Sequence, residues 1–303
     1  MSKINRILVV IDRQRDPELA IQRGVDLAKA SGAPIELYGC EYDPALFLHY
    51  VIAGKKDKLS KNAYVAECEA WLKKKAEAMR EQGIEVEIYA DWRRDLTAGV
   101  LERLKLHPAD IVIKDTRHDS RIQRTLFHSS DWNLIRDCPV PLLLAKRGSR
   151  GRKGPVIAAV DPLHEDDPKQ AQDSLIWKTA KAFAEREQRD CRLFHAMNVI
   201  PETVPLAMDV VLYGDYDQVL RRETKRHIEQ FAANQGIAEQ AIEIREGPPS
   251  VTLPEYAADS DASLVVMGSV SRSHWPVPLI TTTAEAVLDR LDCDVLVVKA
   301  DQS

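Results

Sequence analysis

Two aspartates stand at matching places along the chain. Asp12 closes the apolar run RILVVID (6–12), and Asp161 closes PVIAAVD (155–161). A carboxylate at the carboxyl end of a strand can accept hydrogen bonds from a base or a ribose, because open α/β sheets bind ligands along that edge. It can equally cap the helix that follows. The residues alone leave both roles open. A third group follows ASLVVMG (262–268): Gly268 leads into Ser269-Val270-Ser271-Arg272, and Thr281-Thr282-Thr283-Ala284-Glu285 then opens an amphipathic stretch. Thr282 with Glu285 three residues on is a capping box. A helix amino terminus flanked by hydroxyls is also a natural seat for a phosphate.

Other chemistries lack their residues. The five cysteines (Cys40, Cys68, Cys138, Cys191 and Cys293) are odd in number, far apart and without a CxxC pair. That fits reduced thiols, not a disulfide framework or a zinc site. The eight histidines show no HxxxH spacing. No nucleophile, base and orienting group can be nominated together, so no catalytic residue and no metal ligand is expected. The basic stretch HDSRIQR (118–124) could bind an anion but reads first as a surface loop, and the arginines of Trp92-Arg93-Arg94-Asp95 and Arg221-Arg222-Glu223 read as solvated surface.

These groups need a scaffold, and the apolar pattern supplies one twice. In the first half, short Val/Ile/Leu-rich runs fall at 6–12, 34–40, 84–90, 109–115 and 140–146, with helical candidates near 16–31, 60–82, 94–106 and 123–137. In the second half the runs fall at 155–161, 190–196, 240–246, 262–268 and 294–300, with helical candidates near 168–188, 215–235, 250–260 and 281–292. Near-continuous apolar strands alternating with helices predict an α/β fold with a parallel sheet covered on both faces. The five strands return in the same order, which marks two tandem domains and not a solenoid of short repeats. The expected division is 1–147, a linker at 148–154 and 155–303. The linker, Gly148-Ser149-Arg150-Gly151-Arg152-Lys153-Gly154, is rich in glycine and basic residues and has no apolar periodicity.

Composition narrows the partners. With 303 residues, 45% hydrophobic, 29% charged and a net charge of −5, each half can bury a core, and neither has the strongly basic balance of a nucleic-acid binder. No stretch is long and apolar enough for a membrane span. Charges come too early in MSKINRILVVIDR for a signal peptide, so a cytoplasmic location is expected. Two long apolar segments, 41–53 and 198–213, follow the second strand of each half and must cover a cleft, an interface or a ligand.

Taken together, these residues resemble the universal stress protein domain. An aspartate closes the first strand, a glycine closes the fourth, and a capped helix precedes a last strand introduced by cysteine (Cys138-Pro139-Val140, Cys293-Asp294-Val295). The resemblance covers nearly the whole chain, twice. It implies doubly wound domains, each with a five-stranded parallel sheet in the order 3-2-1-4-5. It implies dimers through the fifth strands, so a tandem chain becomes an intramolecular pseudo-dimer, with a further homodimer of whole chains still open.

Nucleotide-binding members of that family carry G-x2-G-x9-G-[ST] after the fourth strand. They hold the base near the first-strand aspartate and the residue after a second-strand histidine. In the second half those positions are Asp161, Ala196 (after His195), Gly268, Ser271, Thr281 and Thr282. In the first half they are Asp12, Cys40, Asp115, His118, His128 and Ser129, and every glycine is lost. Glycine lets backbone N–H groups approach a phosphate closely, and Asp115 puts an anion where a triphosphate would lie. No ATP site is therefore expected in the first half.

Three functions follow. The first is a stress-response module that binds a ligand or partner without turnover and requires no cofactor. The second is weak ATP binding or slow ATP hydrolysis, with magnesium, in the second domain. The third is a binder of an amphipathic or hydrophobic small ligand in the altered clefts.

Overall fold

The computed structural model describes residues 3–13, 17–42, 58–116, 129–162, 168–197, 211–268 and 282–300. The chain divides into two compact units, 1–147 and 148–303.

Unit 1 contains β1 (Ile7–Ile11), α1 (Glu18–Ser31), β2 (Ile35–Glu41), α2 (Lys58–Arg80), β3 (Val86–Trp92), α3 (Leu96–Leu106), β4 (Ile111–Asp115), α4 (Ser129–Asp137) and β5 (Leu142–Ala145). Its strands are parallel and ordered β3-β2-β1-β4-β5. Unit 2 contains β6 (Val156–Ala159), α5 (Pro168–Arg186), β7 (Cys191–Met197), α6 (Val211–Gln235), β8 (Ile242–Glu246), α7 (Pro249–Asp259), β9 (Leu264–Gly268), α8 (Thr282–Arg290) and β10 (Asp294–Val298). Its order is β8-β7-β6-β9-β10, the same 3-2-1-4-5 arrangement.

The central strands are continuous apolar runs because both faces of the sheet are covered. All five residues of β1 and of β10 are buried, each Val, Leu or Ile side chain contributing about 1.5–3 kcal/mol on burial. The edge strands β3 and β8 alternate or stay half-exposed. Helix α1 lays Ala20, Ile21, Val25, Leu27 and Ala28 on the sheet and stops at Gly32, whose φ of 73° is the left-handed conformation that ends helices. Asp95 caps α3 by accepting a hydrogen bond from Ala98 N–H at 3.1 Å. The segment 148–154 is tied to unit 2: Ser149 Oγ donates to the Ser263 carbonyl at 2.9 Å, and Gly154 N–H to the Asp261 carbonyl at 3.1 Å.

Register shows where the two copies differ. Ile7 pairs with Ile35 and Val156 with Cys191, so the first crossover of unit 2 is longer by seven residues. Most of the extra length goes into α5, which has 19 residues against 14 in α1. The added turns sit at its amino end, beside the carboxyl ends of the strands.

Candidate functional site

The parallel arrangement brings Ala196, Asp161 and Gly268 to the carboxyl ends of the adjacent strands β7, β6 and β9. Asp161 lies two residues beyond β6 and is exposed. The helix-cap role is excluded for both aspartates. Helix α5 starts at Pro168, well past Asp161, and Pro17 caps α1 without a side-chain bond, five residues after Asp12.

Asp161 instead donates its backbone N–H to Asp173 Oδ1 at 3.1 Å. Its carboxylate stands 3.8 Å from His195 Nδ1. His195, only 2% exposed, has Nδ1 3.0 Å from the Val160 carbonyl. A carbonyl only accepts, so this contact places the proton on Nδ1.

Gly268 ends β9, and the reason for a glycine there is a neighbour. A Cβ at this position would meet Gln172 Nε2 at 2.9 Å. Gln172, on the added turns of α5, donates Nε2–H to the Val298 carbonyl at 2.8 Å and accepts from Ala300 N–H at 2.5 Å. Those two partners flank Lys299. This is the bonding pattern that a residue of a parallel neighbouring strand makes. The side-chain amide thus continues the pairing of β10 past the point where β9 stops.

In unit 1 the corresponding residues are Cys40 in β2, Asp12 just after β1, and Asp115 at the end of β4. Cys40 Sγ donates to the Arg93 carbonyl at 3.4 Å, and burial pushes its thiol up to about 11. Arg13, next to Asp12, bonds Glu41 at 2.6 Å and Glu67 at 3.1 Å, and lies over the Tyr64 ring. Asp115 is buried.

Beside Asp115 stands a pair that its sequence position did not reveal: Lys114 Nζ and Asp131 Oδ1 are 2.7 Å apart, both side chains fully buried. Lys114 Nζ also donates to the Asp115 carbonyl at 3.1 Å. Between α2 and β3, a depression of about 260 Å³ is lined by Asn62, Glu69, Asp91 and Trp92, among others. It is smaller than ordinary ligand pockets, and its Asp91 is already bound by Arg93 Nε at 2.9 Å.

Ser271, Thr281, His118 and His128 lie outside the described residues, as do 43–53 and 198–210 of the two apolar segments. Thr282 and Ser129 are the first residues of α8 and α4, and their side chains are likewise outside. Of the nucleotide positions in unit 2, the structure therefore places Asp161, Ala196 and Gly268 on one edge. The side-chain amide nearest Gly268 is bonded to β10, and Asp173 holds the Asp161 N–H at the neighbouring strand end. No group of three metal-binding side chains occurs among the described residues.

The universal stress protein family matches residues 3–146 and again 156–299. Universal stress protein E of Salmonella typhi is 24% identical over 303 residues, covering 100% of this chain and 96% of that protein. Universal stress protein E of Escherichia coli (strain K12) gives the same values. A functionally unknown protein from Pseudomonas aeruginosa PAO1 has a similar structure, with TM-score 0.76 and 26% identity over 98% of this chain and 93% of its own. A universal stress protein from Archaeoglobus fulgidus DSM 4304 shares the fold, with TM-score 0.67 and 18% identity over 99% of both chains.

Proposed function

The chain belongs to the universal stress protein family, as a tandem member of the E type, and from that premise we propose that it is a cytoplasmic module that binds a small ligand or a protein partner and performs no chemistry. One observation carries this reading: among the described residues, four polar side chains near the carboxyl ends of the strands are bonded to the protein itself. Gln172 closes β10, Asp173 holds Asp161 N–H, His195 holds the Val160 carbonyl, and Lys114 holds Asp131. A catalytic site needs groups aimed at a reacting atom, and these are aimed at neighbouring backbone and side chains. The thiols fit the same reading. Burial pushes Cys40 up to about 11 and Cys68 and Cys191 up to about 12, so they stay protonated and weakly nucleophilic near neutrality.

The two domains are proposed to form an intramolecular pseudo-dimer. Light scattering then gives the mass of one 34.1-kDa chain, and twice that mass would establish a homodimer of tandem chains. Calorimetric titration of the whole protein with ATP and magnesium, run beside a phosphate-release assay, tests the absence of chemistry. The expected result is no saturable heat at millimolar nucleotide and no release. Saturable heat together with release that Asp161→Ala abolishes would replace this proposal with slow ATP hydrolysis in the second domain.

A further inference from the structure

We infer that the end of β4 in unit 1 is an anion seat that the chain fills permanently with its own carboxylate, Asp131. The inference deepens the reading of unit 1 as a half without a nucleotide, and rests on it. Two features there call for negative charge. Lys114 is an ammonium with no exposed surface, at the end of a strand whose other side chains are buried; a buried cation needs a counter-charge. Helix α4 begins just beyond, and the amino end of a helix favours an anion within its first turn. Asp131, in that first turn, answers both at 2.7 Å from Lys114 Nζ.

The fold itself does not ask for the pair. Ile7 pairs with Ile111 and Val156 with Leu264, so Lys114 corresponds to Met267. Helices α4 and α8 begin at Ser129 and Thr282, so Asp131 corresponds to Ala284. Unit 2 makes the same strand and the same helix with a methionine and an alanine. Buried ion pairs are seldom better for stability than apolar residues of similar volume, so the pair is not explained by packing. It is explained if the seat keeps its charge and the chain supplies the occupant.

The experiment empties the seat. Asp131→Ala, the residue of unit 2, leaves Lys114 buried without its carboxylate. The melting temperature is expected to fall by roughly ten degrees and to recover saturably with added formate, but not with chloride at equal ionic strength. The paired variant Lys114→Met with Asp131→Ala has no seat. It is expected to fold and to gain nothing from formate beyond chloride. If Asp131→Ala does not fold, Asp131→Asn is read in the same way. Loss of stability without formate-specific recovery, or equal recovery in the paired variant, overturns the inference. ATP hydrolysis by the unaltered protein would sink the proposed function and leave this result standing, so the two failures are distinguishable.

Discussion

At the end of its fourth strand, unit 1 buries an ammonium and a carboxylate, whereas unit 2 has a methionine and an alanine there and brings a glutamine amide across from α5. One backbone plan carries a different device in each copy. In unit 1 it is electrostatic and local, from the strand and the helix that follows it. In unit 2 it is a neutral amide, and it depends on a helix lengthened in the first crossover. The two devices lie on opposite faces of the sheet, because Lys114 matches Met267 whereas Gln172 meets the next residue, Gly268, and the fold requires neither, since each unit does without the other's.

The largest effect should come from stranding one member of the charged pair. Lys114→Met leaves Asp131 buried without its ammonium and is expected to destabilise the protein by about 3–5 kcal/mol, while the paired change to Met and Ala stays within about 1 kcal/mol of the unaltered protein. Urea unfolding of the three proteins measures both. If Lys114→Met alone is as mild as the pair, the electrostatic description of unit 1 is wrong.

A second contrast lies one layer in. Gly39 of β2 occupies the register position that His195 occupies in β7. A Cβ on Gly39 would stand 2.6 Å from Cys68 Sγ and 3.2 Å from Leu72 Cδ1, both buried residues of α2. Unit 2 accommodates a whole imidazole at that place. Gly39→Ala should therefore cost about 1–3 kcal/mol by overpacking, and Cys68→Ala on the same chain should return part of it. Thermal unfolding that leaves Gly39→Ala unchanged would mean that α2 is free to move off β2.

Much of this was legible beforehand, for a physical reason. Strands buried on both faces announce themselves as apolar runs, and the doubled order of ten such runs predicts two parallel sheets. Asp12 and Asp161 were placed at strand ends by the same runs. Their capping role was not decidable, because it depends on how many residues separate strand from helix, and Pro17 and Pro168 put that boundary several residues later. Lys114 was visible as a charge inside IVIKD, but its partner sits 17 residues on, a separation that by itself predicts no contact. Gln172 gave no signal. A glutamine in the first turns of a helix looks like surface until the lengthened crossover lays it over Gly268.

That glutamine gives the next effect. Gln172→Ala removes the two bonds to the Val298 carbonyl and Ala300 N–H. Val298 is buried and Ala300 half-buried, so water replaces little of what is lost at the Val298 carbonyl, and the expected cost is on the order of 1–3 kcal/mol. The same substitution should make Gly268→Ala better tolerated, since Gln172 supplies all three nearest contacts of the new methyl. A double-mutant cycle measures the coupling. Strict additivity of the two changes would separate Gly268 from the amide and undo the account of unit 2.

The smallest effect near neutrality, growing only in alkali, follows from the thiols. Burial raises Cys40 from 9.0 to about 11, and Cys68 and Cys191 to about 12. The folded state thus holds these protons more tightly than the unfolded chain does. The resulting stability is fully present below pH 9.0, the free-thiol value, and is lost as pH rises through the folded values of about 11 to 12. Two of the three groups, Cys40 and Cys68, lie in unit 1, and burial raises Tyr38 beside them as well. Denaturant midpoints measured across this range should stay level and then fall. Replacing Cys40 and Cys68 with alanine should flatten the fall more than replacing Cys191 does, because two of the protons released on alkaline unfolding come from unit 1. An equal flattening from Cys191→Ala alone would show that alkali attacks both copies alike and would erase the asymmetry at this level.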